Sequence, residues 1–292
     1  MHHLLLADIG GTHARLAPLL NGAPGPVTTL RLADFASPEV LLATQPYRHA
    51  VLAVAGPVAE NSAMLTNRGW YFSGAALRAH IVNDFEALAW ALPSLTAAEL
   101  LPLGGGAAPP GAPMAVLGPG TGLGVAAMLP PATVLPGEGG HATLAAGNDA
   151  EAEVLALLRG RYGGHCSAER VLSGPGLVAL HAALAELSGR APEQLPPGEI
   201  LAHHPETLAM FCAMLGGFAG NVALTYGARG GVFLAGGILP RMPGLLAASE
   251  FRARFAAKGR MAPYLAGIPT WLILHPNPAL PGLAALAKRL AF

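Results

Sequence analysis

Two stretches of this chain, about one domain apart, share a pattern: LLADIGGTHARLA near the N-terminus and AVLGPGTGLGVAA in the middle. Each reads as an apolar strand, a glycine-rich turn carrying a threonine, and a second apolar strand. A weak repeat at that spacing points to a duplicated α/β fold, each copy with its own sheet and covering helices. The first turn is a poor match to a phosphate loop of the kind that opens a helix. Pro18 and the Asn21-Gly22 pair follow too closely, and Asn-Gly is the strongest short hairpin signal. The expectation is three consecutive antiparallel strands, roughly 3–8, 13–20 and 27–33.

The rest of the chain alternates in the same way. Ser37-Pro38 reads as an N-cap and first helical residue. HAVLAVAGPVA is a buried strand, FSGAALRAH a short helix, and IVNDFEALAWALP a strand entering a helix. LPLGGGAAPPGAP reads as a Gly/Pro linker without periodicity. Helices are expected from about Asn148 to Gly160 and after GGHCSAERVLSGPGL. GGVFLAGGILPRM reads as a strand, a Gly-Gly turn and a helix start. A strand, a loop and a helix ending in Lys288 and Arg289 close the chain.

Composition removes several function classes. Formal net charge is +0 and only 12% of residues are charged, so no basic field draws nucleic acid or an anionic membrane. Cys166 and Cys212 form no CxxC pair, which fits a reducing, cytoplasmic setting better than a disulfide framework. His165 beside Cys166 invites a metal reading, but no other Cys or His stands at zinc spacing. His2-His3 and His203-His204 read as surface residues. Thr207 to Ala228 carries no Asp, Glu, Lys or Arg and has a GxxxG spacing; Asn221 and Thr225 interrupt it, and it reads as a buried helix rather than a membrane span.

Three glycine turns follow three apolar strands: Gly10-Gly11, Gly118 to Gly124, and Gly236-Gly237. Each bares backbone N–H groups, and two hairpins facing each other could cradle a polyphosphate. Asp8 beside phosphates would be repelled without a cation, which points to Mg²⁺ held directly or through water. Asn83-Asp84 ends a strand just before a helix. Asp84 there is either an N-cap or a general base at the edge where open α/β sheets place ligands. Glu138-Gly-Gly-His141 and Glu169 are either solvated surface groups or ligand contacts.

DIGGTHARLA, VAGPV with LTN and a tryptophan after it, VNDFEALAWALP, GPGTGLG, PGEGGH, GHCSAERVLSGPGL, GGVFLAGGILPR and HPNP occur in that order. Together they resemble the bacterial ATP-dependent glucokinases of the hexokinase/actin-like ATPase superfamily. The resemblance implies an α/β, two-domain, ribonuclease H-like fold with the active site in a cleft between the domains. It implies a small domain of 1–94 plus 276–292 and a large domain of 95–275. Asp84 matches the catalytic base that takes the proton from the sugar 6-hydroxyl. Asn83, Asp84, Glu138, His141 and Glu169 match sugar-binding residues. Gly10, Gly11 and Thr12 match the first phosphate turn, Gly120, Thr121 and Gly122 the second, and Gly236 and Gly237 the adenosine-side turn. Asp8 matches the carboxylate associated with Mg²⁺. Homodimers are common in the family.

The chain departs from the family pattern at His13, where asparagine is usual, and in shortened segments between Asp34 and Ala50 and between Trp70 and Asn83. Pro281-Gly282-Leu283 replaces a more glycine-rich run. The expected activity is transfer of phosphate from ATP to D-glucose, with another hexose or an amino sugar as the alternative substrate. A non-catalytic sugar sensor would call for a basic DNA-binding extension, and an actin-like polymerising ATPase has no use for Glu138, His141 and Glu169 together.

Overall fold

The computed structural model describes residues 4–65 and 68–291. Thr66 and Asn67 of the LTN motif, and His2-His3, lie outside the described residues. The chain divides into two compact units. One comprises the residues up to Thr96, Val134–Pro136 and the residues from His275 on; the other comprises Ala97–Thr133 and Gly137–Leu274.

In the first unit β1 (Leu4–Ile9) and β2 (His13–Leu20) form the expected hairpin, with Asp8 opposite Arg15. β3 (Ala23–Pro24) and β4 (Thr28–Arg31) both pair antiparallel with β2, so the third expected strand is present but short. The chain then crosses through α1 (Pro38–Leu42), capped by Ser37, to β5 (His49–Val54), which lies parallel to β1. A small meander follows: β6 (Val58–Ala59), β7 (Ser62–Leu65) and β8 (Trp70–Ser73). Ser73 caps the single-turn α2 (Gly74–Leu77), and Arg78 closes it in the left-handed region. This is as short as the compressed sequence demands. β9 (Ala79–Asn83) then joins the sheet parallel to β5 and runs into α3 (Asp84–Ala91). The sheet order is β3-β2-β1-β5-β9.

The second unit repeats the scheme. β10 (Leu100–Gly104) opens it, pairing antiparallel near its far edge, so the segment read as an unstructured Gly/Pro linker begins with a strand. Its partner lies far along the chain, which is why no local pattern announced it. β11 (Met114–Pro119) and β12 (Leu123–Leu129) make the second glycine-turn hairpin, and β13 (Thr133–Gly137), whose Val134–Pro136 are counted in the first unit, follows in the chain. Four helices follow: α4 (Asp149–Arg161, capped by Asn148), α5 (Gly174–Leu187), α6 (Pro197–His203) and α7 (Pro205–Tyr226). β14 (Gly231–Leu234) lies parallel to β11. α8 (Pro243–Ala248), α9 (Phe251–Ala256) and α10 (Ala262–Gly267) lead to β15 (Thr270–Ile273), parallel to β14. The order β10-β15-β14-β11-β12-β13 thus contains the same hairpin-plus-two-parallel-strands core as the first sheet. α11 (Ala279–Arg289) ends the chain in the first unit, against α3.

Each sheet has its own core. In the first, Leu5, Ile9, Leu16, Leu52 and Phe72 are essentially inaccessible; in the second, Leu117, Leu180, Phe211, Leu234 and Phe255 are. α7 is long and apolar enough to cross a membrane, but most of it is buried in the second unit. Its glycines serve a backbone crossing with α9. A Cβ on Gly216 would stand 2.2 Å from the Phe251 carbonyl oxygen, and one on Gly220 2.4 Å from that of Phe255. The GxxxG spacing is therefore a packing notch. The intervening Gly217 meets nothing within 4 Å.

Gly216→Ala is expected to destabilise the protein by about 1–3 kcal/mol through overpacking. Gly217→Ala should instead stabilise it by about 0.5–1 kcal/mol through helix propensity. Thermal or urea unfolding of the two variants checks the contrast.

Candidate active site

In the first unit the parallel strands β1, β5 and β9 end together: Ile9 is in register with Val54, and Val54 with Asn83. The first glycine turn leaves this edge from β1, and Asp84 leaves it from β9. Two strand spacings, about 10 Å, separate the two strands.

The turn is closed by its own backbone. Gly10 N–H donates to the His13 carbonyl at 3.0 Å, and the Thr12 carbonyl accepts from Leu32 N–H at 2.9 Å. Substitution of asparagine by His13 leaves that backbone bond in place. Gly10 has no positive φ, and a Cβ there would meet only the His13 oxygen, at an ordinary 3.5 Å. Thr12 is exposed.

Asp8 sits one residue inside the strand end, its side chain 15% exposed, 3.3 Å from Arg15 Nη1 across the hairpin. Burial pushes its carboxyl above the usual aspartate range, and the Arg15 cation opposes that shift only in part. Arg15 faces Asp8 because the two residues are cross-strand partners in the β1–β2 hairpin.

Asn83 and Asp84 divide the two roles that the sequence left open. Asn83 is the N-cap of α3: its Oδ1 accepts from Phe85 N–H at 2.8 Å, while its Nδ2 donates to the Gly56 carbonyl at 3.0 Å. Asp84 is the first helical residue, partly buried, with Oδ1 accepting from Phe85 N–H at 3.0 Å. The cap therefore belongs to the neighbour. Glu86, in the first turn of α3, is pushed above the usual glutamate range by burial. Asn83-x-x-Glu86 is a capping-box spacing, so the signal was present.

In the second unit the other two glycine turns lie side by side. A Cβ on Gly118 would stand 2.2 Å from the Ala235 oxygen, and Gly236, at φ +91°, presses on Pro119. A Cβ on Gly120 would be 4.0 Å from Gly237 N, and one on Gly237 would meet nothing. Gly120 N–H donates to the Gly122 carbonyl, and the Gly120 carbonyl accepts from Gly174 N–H, both at 2.8 Å. Thr121 is exposed at the tip.

Glu138, His141 and Glu169 come together in the same unit. A bridge between Thr143 and Ser167, and an Ala168 N–H to Ala142 carbonyl bond of 2.8 Å, zip their two loops together. His141 Nε2 is 3.9 Å from Glu138 Oε2, and its Nδ1 is 4.0 Å from Glu169 Oε1. Both distances exceed a hydrogen bond. Glu169 Oε2 accepts from Leu123 N–H at 2.9 Å and fills the space beside Gly122, which ties this cluster to the second glycine turn. The two glycines between Glu138 and His141 serve packing: a Cβ on Gly140 would stand 2.0 Å from the Leu123 oxygen. His165 is exposed and Cys166 buried, so the adjacent pair presents no shared metal-binding face.

A family model described as Glucokinase matches residues 5–290. The glucokinase of Paramagnetospirillum magneticum is 46% identical over 313 aligned positions, covering 97% of each chain. That of Chromobacterium violaceum is 45% identical, covering 98% of this chain and 90% of its own. The crystal structure of a glucokinase from an Antarctic psychrotroph superposes with a TM-score of 0.87 at 38% identity, covering 99% of both chains. Similarity of this degree, sustained end to end, places the chain in the glucokinase family.

Proposed function

We propose that the chain phosphorylates D-glucose on its 6-hydroxyl with ATP, using Asp84 as general base. Family membership supplies the reaction. The observation that carries the residue assignment is the shared strand edge of the first unit, with Asp8, a glycine turn and Asp84 all on it. Open α/β sheets place their ligands at that edge.

In this reading the Asp84 carboxylate accepts the 6-hydroxyl proton as the sugar oxygen bonds to the γ-phosphorus and ADP departs. The transition state is loose, so positioning matters more than base strength. Asn83 contributes by fixing the start of α3 and the Gly56 loop. Glu138, His141 and Glu169 present polar atoms set too far apart to satisfy one another fully, which suits a polyhydroxylated ligand. A sugar with one hydroxyl misplaced would leave one of these groups unpaired against the ligand.

The glycines support the nucleotide assignment. A Cβ on Gly236 would meet the Pro119 backbone, and one on Gly122 the Glu169 carboxylate. At Gly10, Gly120 and Gly237 nothing in the fold crowds the position a Cβ would take, which suits backbone approach by phosphates and adenosine; Gly11, Thr12, Thr121, Gly122 and Gly236 complete the same three turns. Asp8 fits a Mg²⁺ role, held through water: a carboxylate burdened by burial and only partly relieved by Arg15 gains from a second cation. Mg²⁺ would neutralise charge on the transferring phosphates. The same reading makes the protein a cytoplasmic, glycolytic homodimer, as the family resemblance implies.

Asp84→Asn keeps the side-chain shape and the acceptor to Phe85, so the variant should fold normally. Its kcat should fall by about 10²–10⁴-fold. ADP release across glucose, mannose, fructose, glucosamine and a sugar-free control measures it; activity within tenfold of wild type would remove Asp84 as base. Gly237→Ala should raise the KM for ATP several-fold with unchanged unfolding temperature, whereas Gly118→Ala should lower that temperature. Asp8 has a raised folded pKa, so its favourable contribution to stability is present at low pH and lost as pH rises through that value. Asp8→Asn should therefore unfold at a higher temperature than wild type at neutral pH, the gain vanishing as pH falls to the ordinary aspartate range, while Mg²⁺-dependent turnover is lost.

A further inference from the structure

A cluster in the second unit plays no part in this chemistry. His181 lies on the buried side of α5, 5% exposed, with ring Nδ1 3.0 Å from the hydroxyl of Thr207 in the first turn of α7. Thr207 is fully buried. The ring of His204 packs on that of His181, with centroids 4.3 Å apart and planes at 57°. His204, read from sequence as a surface residue, is the hinge between α6 and α7, with its side chain 25% exposed. Its Nδ1 lies 3.6 Å from Glu206 Oε1. One ligand atom from each of His181, His204 and Glu206 lies within 4.8 Å of the others.

We propose that His181, His204 and Glu206 form a Zn²⁺ site that staples the α6–α7 junction to α5. Two imidazoles and a carboxylate are a borderline donor set suited to Zn²⁺ rather than to Mg²⁺ or Ca²⁺. The Thr207 hydroxyl engages Nδ1 of His181 and fixes the ring, leaving Nε2 as the ligand atom, as outer-shell partners of metal-bound histidines do. Burial, reinforced by His204, lowers the His181 pKa, so its ring is neutral at physiological pH, the form a metal needs. Glu206 is held below the usual glutamate range, first by its own backbone N–H and also by His204, and is ionised. Arg190 opposes a cation here and Glu193 favours one.

Zn–N and Zn–O bonds of about 2.0–2.2 Å bring tetrahedral ligand atoms to roughly 3.3–3.5 Å from one another. Closing from 4.8 Å takes movement of about 1 Å. The half-exposed Glu206 side chain and the junction residue His204 can supply it, while His181 is the fixed member. With three protein ligands the fourth position would fall to water, an open rather than a closed coordination. The ion would tie an inter-helix turn to the helix that follows the Glu169 loop, and the cluster holds no group assigned to phosphoryl transfer.

The test is calorimetric titration of ZnCl₂ into the chelator-stripped full-length protein, with the Co²⁺ absorption spectrum as a second readout. The expected result is one Zn²⁺ per chain and tetrahedral Co²⁺ bands. Affinity should fall at least tenfold in both His204→Ala and Glu206→Gln, whose partly exposed side chains can change without unfolding the chain. Thr207→Val should weaken binding by about tenfold through the lost outer-shell bond. Absence of stoichiometric binding would overturn the site. So would Zn²⁺ affinity that survives both variants but falls in His165→Ala, which would put the metal elsewhere.

Discussion

Backbone lying directly on backbone, where no side chain fits, sets the arrangement of everything else in the second unit. Gly118 at the end of β11 meets Ala235 just past β14, and Gly236 meets Pro119 in return. Because β11 and β14 are parallel and in register through Leu117 and Leu234, their turns emerge at the same edge with no gap between them. Gly140 repeats the device against Leu123, drawing the Glu138–His141 loop onto β12. Each contact trades side-chain packing for position. Gly120, Thr121 and Gly237 stand together because Gly118 and Gly236 allow it.

The first unit reaches a comparable edge by different means. Parallel register brings Gly10 and Asp84 to one side of the sheet, and polar bonds then fix the details. Asn83 spends its carbonyl on the α3 terminus and one amide hydrogen on Gly56. Asp8 is balanced between burial, which favours the neutral acid, and Arg15, which favours the anion. Such a carboxylate destabilises the fold in its charged form and gains most from an added cation. Natural sequences tolerate that tension mainly at functional positions.

Local features were readable from sequence wherever the cause was local. Asn21-Gly22, Ser37-Pro38 and Asn148 announced a hairpin and two helix starts because turn and cap chemistry act within a few residues. The doubled hairpin was readable for the same reason. β10 was not, because its pairing partner Leu272 lies on a strand at the other end of the unit. The division of labour between Asn83 and Asp84 needed coordinates, since both residue types cap helices. The Asp8–Arg15 pair needed only the strand register, and could have been drawn from the hairpin alignment.

His204 shows why residue type alone misleads at element boundaries. A histidine pair before a proline and a glutamate reads as solvated, and His203 is exposed. The left-over residue between two helices must turn the chain, however, and α6 and α7 both pack on α5. His204 therefore turns inward at a crossing where His181 is already buried. Burial, with His204 beside it, favours the neutral form of the His181 ring. One ring buried and one part-exposed, set at a helix crossing, is the geometry a shared partner would use. The residue beside it in sequence, Glu206, supplies the opposite charge such a partner would require.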